Sequence, residues 1–371
     1  MDTHKLKYWV GFNLIQGIGP TRVRRLLNHF GDLEAAWSAS AFDLAAAGLD
    51  RRSIESALAA RARLSLDTEM ETIAGLGIHV LTWQDDDYPK LLRPIPGAPP
   101  VLYVQGSLLP EDEWAVAVVG TRRVTAYGRE AAAELAGGLA RSRITVVSGL
   151  ARGVDSIAHR AALDAGGRTI AVLGCGIDVV YPPEHARLAH DIVAQGALVS
   201  DYPLGTQPEA RNFPARNRII SGLSLGVLVV EGAADSGSMI TADFALEQGR
   251  DVFAVPGNIF ATRSSGTNHL IQQGAKMVTS VQDIIEELNL SQASQQMEVR
   301  YLIPDNPTEE ALLQQLSEEP RHMDEIVRAT GMATADVSAT LSMMELKGMV
   351  RQVGNMTYVL AREGRVTYSV E

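Results

Sequence analysis

A chain of 371 residues with 46% hydrophobic content is too long for one small domain and can bury two or three packed cores. Its net charge of −11 excludes a broadly basic nucleic-acid binder, so any such binding needs a local arginine pocket within an acidic body. One cysteine, Cys175, excludes an intramolecular disulfide and fits a reducing cytosol, no apolar run approaches the roughly 18 residues of a membrane helix, and the first residues lack signal-peptide character, so a cytoplasmic protein that does not engage membranes is expected.

Residues 1–75 read as a helical domain. Leu14-Ile15-Gln16-Gly17-Ile18-Gly19-Pro20 is a hairpin between two helices, and Val23, Leu26, Leu27 and Phe30 follow at helical spacing. Leu44, Leu49, Ile54, Leu58 and Leu64 extend the pattern. With Arg22, Arg24 and Arg25 beside it, the hairpin looks like a helix-hairpin-helix, a module that contacts nucleic-acid backbones. A degenerate module used only for packing is the other reading, and both stand.

Residues 76–290 alternate strand and helix. Strands are expected at 78–82, 101–104, 115–120, 144–148, 169–173, 197–200, 226–231, 251–255 and 276–279. Several are continuous apolar runs, as when both faces of a sheet are covered. The fold class is α/β, an extended Rossmann-like, parallel, doubly wound sheet. Three strand ends share one logic. They are Gly120-Thr121-Arg122, then Ser148-Gly149-Leu150-Ala151-Arg152-Gly153, then Asp235-Ser236-Gly237-Ser238, each opening a helix, near Gly128, Val154 and Met239. Small residues let backbone N–H groups reach an anion at the carboxyl edge of the sheet, and helix N-termini favour negative charge. One such turn is explained by a tight connection; three, with Arg at two of them, point to an anion site.

Between them runs a basic loop containing Arg211, Phe213, Arg216, Asn217 and Arg218. Arg216 and Arg218 are expected to grip phosphates and Phe213 to stack on a base. The competing reading packs Phe213 in the core and pairs the arginines with Asp201 or Glu209. The P-loop and dinucleotide fingerprints are absent, and Gly174-Cys175-Gly176 lacks the rest of the latter. No metal or catalytic constellation is expected. His159 reads as structural, Asp155 as a cap, and Ser236 and Ser238 as capping residues.

A polar linker, Asn289–Asn306, leads to a third region. His322–Thr330, a turn at Gly331 and Thr334–Lys347 read as a helix-turn-helix. Val350–Gln352 and Tyr358–Leu360, joined through Gly354-Asn355, read as a wing. Asp336 and Glu345 against a single Lys347 would repel phosphates, so a structural or protein-interaction role is expected for that helix.

These residues together resemble the DNA-processing protein A (DprA/Smf) family. The matching motifs are Val119-Gly120-Thr121-Arg122 with Tyr127-Gly128; Ser148–Asp155; Tyr181-Pro182; Phe213–Ile220; Ser236-Gly237-Ser238 with Thr241-Ala242; Val255-Pro256-Gly257; and Gly266-Thr267-Asn268 with Leu270-Ile271 and Gly274-Ala275. The resemblance implies an N-terminal SAM-like or helix-hairpin-helix domain (1–75), an extended Rossmann domain (76–290), a linker (291–307) and a winged helix (308–371). It further implies a homodimer that binds single-stranded DNA, protects incoming DNA during natural transformation and helps load the RecA recombinase. It implies no catalytic activity and no cofactor. Arg122, Arg216, Asn217 and Arg218 match the family's DNA-binding motifs. Thr121 stands where Ser is usual, Ala210 where some members carry a DNA-contacting Lys, with Arg211 a possible substitute, and His185 where Asn is common. The alternative is a nucleotide-processing enzyme of a related Rossmann-like family, with Glu231 as its crevice carboxylate.

Overall fold

Nine short strands, most of them apolar runs, assemble into one mixed sheet in the computed structural model, which describes residues 3–290, 307–316, 320–346, 350–354 and 356–360. The strands are β1 (His79–Thr82), β2 (Val101–Gly106), β3 (Ala115–Val119), β4 (Thr145–Ser148), β5 (Thr169–Val172), β6 (Ala197–Ser200), β7 (Gly226–Val229), β8 (Asp251–Ala254) and β9 (Lys276–Met277). Their order is β1-β2-β6-β5-β4-β3-β7-β8-β9. The seven strands from β6 to β9 are parallel to one another, with Ala117 opposite both Val147 and Val227. All residues of β3, β4 and β5 are buried, because helices cover both faces.

The expected all-parallel sheet needs one correction. β1 and β2 are antiparallel to each other, and β2 is antiparallel to β6. A parallel pair requires a crossover, usually a helix. The segment from Trp83 to Pro100 holds five prolines and forms turns, so the chain doubles back instead.

Six helices precede the sheet: α1 to α6, at Thr3–Asn13, Pro20–Phe30, Leu33–Ser38, Ala41–Ala46, Arg51–Arg63 and Leu66–Gly75. Seven accompany it: α7 (Ala126–Arg141), α8 (Val154–Asp164), α9 (Ala186–Gln195), α10 (Asn212–Gly222), α11 (Gly237–Glu247), α12 (Ser265–Gln272) and α13 (Val281–Glu287). Strand alternation divides the core into two layers. Tyr103, Ala171 and Leu198 face one layer with Trp9, Phe12, Leu26 and Leu44 of the N-terminal helices. Leu102, Ile170 and Val199 face the other with Ile219, Ile220, Ala242 and Ala245. The N-terminal helices therefore share a core with the sheet, and Tyr103 Oη donates to Asn13 Oδ1 at 3.0 Å. Met1–Leu288 forms one compact unit.

The second unit, Asn289–Glu371, has its own core of Leu312, Leu316, Ile326, Val337, Leu341, Met344 and Tyr358. Helices Met323–Thr330 and Thr334–Leu346 flank Gly331, whose φ of 68° closes the first of them. β10 (Arg321–His322), β12 (Thr357–Leu360) and β11 (Val350–Gly354) form the wing sheet, with a register shift between Gln352 and Gly354. Of the expected linker, residues 291–306 lie outside the described residues, as do Lys347 and Asn355.

Candidate nucleic-acid interface

The sheet is wound in two directions from β3. The chain runs through β4, β5 and β6 on one side, then returns to β7 and continues outward through β8 and β9. The switch point lies between β3 and β7. Ligands of open α/β sheets bind beyond the carboxyl ends of the strands at such a point, because the two connections part there and leave a crevice. A cleft of about 630 Å³ opens at this position. Gly120, Thr121, Arg122 and Arg123 line it after β3, and Ala151 and Asp155 after β4. Phe213, Arg216 and Asn217 come from α10, and Ser236, Gly237, Ser238 and Thr241 from α11, with Tyr181 on the rim.

The turns are braced against one another. Thr121 N donates to Glu231 O at 2.7 Å, and Val154 N donates to Thr121 O at 3.2 Å. Gly153 has a φ of +82°, and a Cβ there would collide with Thr121 O, so this junction requires glycine. Leu150, at φ 56°, is held from both sides: its N–H donates to His159 Nε2 at 3.3 Å, and its carbonyl accepts from His185 Nδ1 at 2.8 Å. His159 Nδ1 then donates to Thr169 Oγ1 at 2.7 Å, since that hydroxyl itself donates to Val146 O. Burial, with the neighbouring Arg216 and His185 charges, pushes the His159 pKa down to about 3. This neutral histidine is structural, as expected.

Asp155 is buried and accepts from Gly149 N at 3.1 Å and Ala151 N at 3.4 Å. Burial raises its pKa against the opposing pull of Arg216. Ser236 caps α11, accepting from Ser238 N at 3.4 Å, and Asn217 Nδ2 donates to Gly237 O at 3.3 Å. Glu231 Oε2 accepts from Thr125 N at 2.9 Å.

The exposed cations of the cleft are Arg122 and Arg123, and neither forms an ion pair among the described residues. The Arg122 guanidinium stacks 5.4 Å from the centroid of Phe213, whose other neighbour is the Tyr181 ring at 5.5 Å. Phe213 is half-buried, so part of the ring remains available at the cleft wall.

The basic loop expected at 211–218 is corrected to helix. α10 begins at Asn212, and Pro214 falls in its first turn, where the missing N–H costs no helical bond. Helical phase then decides the arginines. Arg216 lies on the face of Asn212, Ile219 and Ile220 and is buried, with 3% exposure. Its Nη1 donates to Gly149 O at 2.9 Å and to Val172 O. Arg218 projects elsewhere: it pairs with Asp201 at 2.7 Å and donates to Gly97 O at 3.0 Å and Ala215 O at 2.9 Å. Both therefore brace the protein, and Arg218 lies outside the cleft lining. Arg211 pairs with Glu209 at 2.7 Å and Arg152 with Glu184 at 2.5 Å, also outside it. Ser148 is wholly buried beneath the cleft, donating to Val118 O at 2.6 Å, because a hydroxyl inside a covered strand must find a carbonyl. Gly149 and Gly153 support the lining from behind.

Sequence reasoning missed Arg123, and it named Tyr181 and Thr241 only as parts of family motifs, without placing them in the site. The adjacency of Arg123 to Arg122 was the only available signal for it. Tyr181 reaches the cleft through its packing on Phe213, which no local pattern encodes. The assembled surface offers cations, an aromatic edge and helix N-termini, while its two buried carboxylates are committed to backbone N–H groups. Among the described residues no cluster of His, Cys, Asp and Glu is arranged to hold a metal ion, and no helix is long and apolar enough to cross a membrane.

Residues 79–289 match the family DNA recombination-mediator protein A, and residues 300–356 match the DprA winged helix domain. The chain is 37% identical to Protein Smf of Synechocystis over 395 residues, covering 96% of this chain and 99% of that protein. It is also similar to the crystal structure of DNA processing protein A from Streptococcus pneumoniae, with 36% identity and a TM-score of 0.66 over 76% of this chain and 96% of the other. A structure of DNA processing protein A from Helicobacter pylori, described for its single-stranded DNA binding mode, aligns with 32% identity and a TM-score of 0.52 over 58% of this chain and 96% of the other. With the switch-point cleft, the doubly wound sheet and the winged helix in place, the chain belongs to the DNA recombination-mediator protein A, or DprA/Smf, family.

Proposed function

We propose that this protein binds single-stranded DNA in the β3/β7 cleft, protects strands that enter the cell during natural transformation and helps a RecA-type recombinase load onto them. It acts as a cytoplasmic homodimer, without cofactor and without catalysing a reaction. One observation carries the reading: Arg122 and Arg123, unpaired among the described residues, stand at the switch point with Arg122 stacked on a half-buried Phe213. Cations beside an aromatic edge suit a strand with accessible phosphates and unstacked bases, and they impose little sequence preference. The Helicobacter pylori neighbour supports the same choice of ligand. The enzymatic alternative loses support from Glu231, whose Oε2 already accepts from Thr125 N.

Fluorescence anisotropy with oligothymidylate tests the binding. Arg122→Glu is expected to weaken it sharply while the melting temperature is kept, and retained affinity overturns the cleft assignment. Recombinase loading is tested by strand exchange on DNA precoated with single-strand-binding protein; no stimulation by the wild type removes that part. Release of base or phosphate from incubated nucleotides would restore the enzymatic reading.

A further inference from the structure

We propose that a groove carrying Arg24, Arg25 and Arg93 is a second nucleic-acid contact, separate from the cleft, that holds the phosphate backbone of a longer DNA strand. The proposal rests on the DNA-binding reading for the identity of the polyanion.

The groove, of about 440 Å³, lies between α2 and the turn from Arg93 to Ala98. Its lining holds three arginines and no acidic side chain. In a chain of net charge −11 this is a local reversal of sign. All three arginines are exposed, and none is ion-paired among the described residues. Arg22, on the same helix, shows the contrast, since it is neutralised by Asp50.

The contacts these arginines do make orient them without cancelling charge. The Arg24 guanidinium lies 5.1 Å from the Trp83 ring centroid. Arg25 Nη1 donates to Gly48 O at 3.0 Å. Arg93 Nη2 donates to Asp85 O at 2.6 Å, and its guanidinium lies 5.7 Å from the Tyr88 centroid. A guanidinium has five N–H donors, so each keeps several for a ligand. Planar forks held in place fit phosphate oxygens in pairs.

The backbone adds to the same field. The N-cap of α2, Gly19, makes no side-chain capping bond, and the first turn carries no acid. Its positive end therefore remains uncompensated beside the arginines. The opposite rim is stiff: Ala98 N donates to Ile95 O at 3.1 Å, and Arg218 of α10 holds Gly97 O. Because α10 also forms a wall of the cleft, one rigid helix links the two surfaces. A strand held in the cleft would meet the groove at high effective concentration, which favours DNA over an acidic protein as its occupant.

The test compares two oligothymidylates, one of about 8 nucleotides, within the span of a single binding surface, and one several times longer. The full chain with Arg24→Gln, Arg25→Gln and Arg93→Gln is expected to bind the short strand as the wild type does. It should bind the long strand about tenfold or more weakly, with a log–log salt slope shallower by about 2, from three single-strand phosphate contacts at roughly 0.7 each. Arg24→Gln and Arg93→Gln alone, on different elements, should each give part of the loss, which guards against misfolding of the triple variant. Wild-type affinity and slope on the long strand overturn the proposal, as does equal weakening for both lengths. Loss of an acidic protein partner with unchanged DNA binding overturns it as well. Failure of the cleft reading shows separately, as retained short-strand binding by Arg122→Glu.

Discussion

Replacing Arg216 by alanine separates a brace from a ligand. The guanidinium is buried, donates to the carbonyls of Gly149 and Val172, and faces the buried Asp155. Removing it takes away the positive charge that opposes the burial of Asp155, with which it makes no direct ion pair among the described residues. The two orphaned carbonyls pull in the same direction, at about 1–3 kcal/mol each where the site stays dry. Part of the cost is relieved by protonation of Asp155, whose pKa burial already raises. We therefore expect Arg216→Ala to lose about 2–6 kcal/mol at neutral pH, from the two carbonyls together, and less in mild acid as Asp155 takes up a proton. Urea unfolding at both pH values measures this. Adding Asp155→Asn removes the uncompensated charge, so the double variant should recover part of the loss. Arg122→Ala, exposed and unpaired among the described residues, should stay within about 0.5 kcal/mol of wild type. Near-wild-type stability for Arg216→Ala, with its loss confined to DNA affinity, would refute the bracing argument and return Arg216 to the role its sequence motif suggested.

Other outcomes follow from the same geometry. Phe213→Ala should weaken oligothymidylate binding by about 1–3 kcal/mol, the worth of one base–aromatic stack, and an unchanged anisotropy titration would mean the ring only supports Arg122. Gly153→Ala forces a side chain at φ +82° against Thr121 O, so a loss of roughly 1–3 kcal/mol and weakened DNA binding are expected together; an unchanged melting curve would contradict the tight junction. Arg218→Ala should destabilise the protein through Asp201 and the Gly97 turn while short-strand affinity is kept. His159 titrates near 6.5 when unfolded but at about 3 when folded. Between those values the unfolded chain binds the extra proton, so the histidine's contribution is intact above about pH 6.5 and falls by up to about 1.4 kcal/mol per unit as pH drops. Denaturation of wild type and His159→Gln from pH 7 to 5 should show the steeper acid loss in the wild type, and parallel profiles would refute it.

Much of the architecture was legible in the chain. All nine expected strands of the main sheet exist, because a run such as Ala115–Val119 is apolar on both faces and has little other use than a covered strand. The glycine and serine turns at Gly120 and Ser236 were legible for the same local reason: they cannot continue a strand, and they open helices. Thus the turns that form the switch-point cleft lay close to the surface of the sequence, while the stacking of Arg122 on Phe213 did not. The antiparallel β1–β2 edge was less so, since proline turns in place of a crossover helix register only when pairing is considered.

Local chemistry by itself therefore determined the elements and their sequence order, and pointed to an anion site at the carboxyl edge of the sheet. Tertiary structure alone decided which charges are free. Arg216 is turned inward by the phase of a helix that begins at Asn212, and Arg218 is claimed by Asp201 and Gly97 from distant parts of the chain. Arg24, Arg25 and Arg93 become one groove only because α2 packs beside a proline-rich turn. A charged side chain has the same identity in every fold, but burial and nearby partners set whether its charge is available, and both depend on segments far away in sequence.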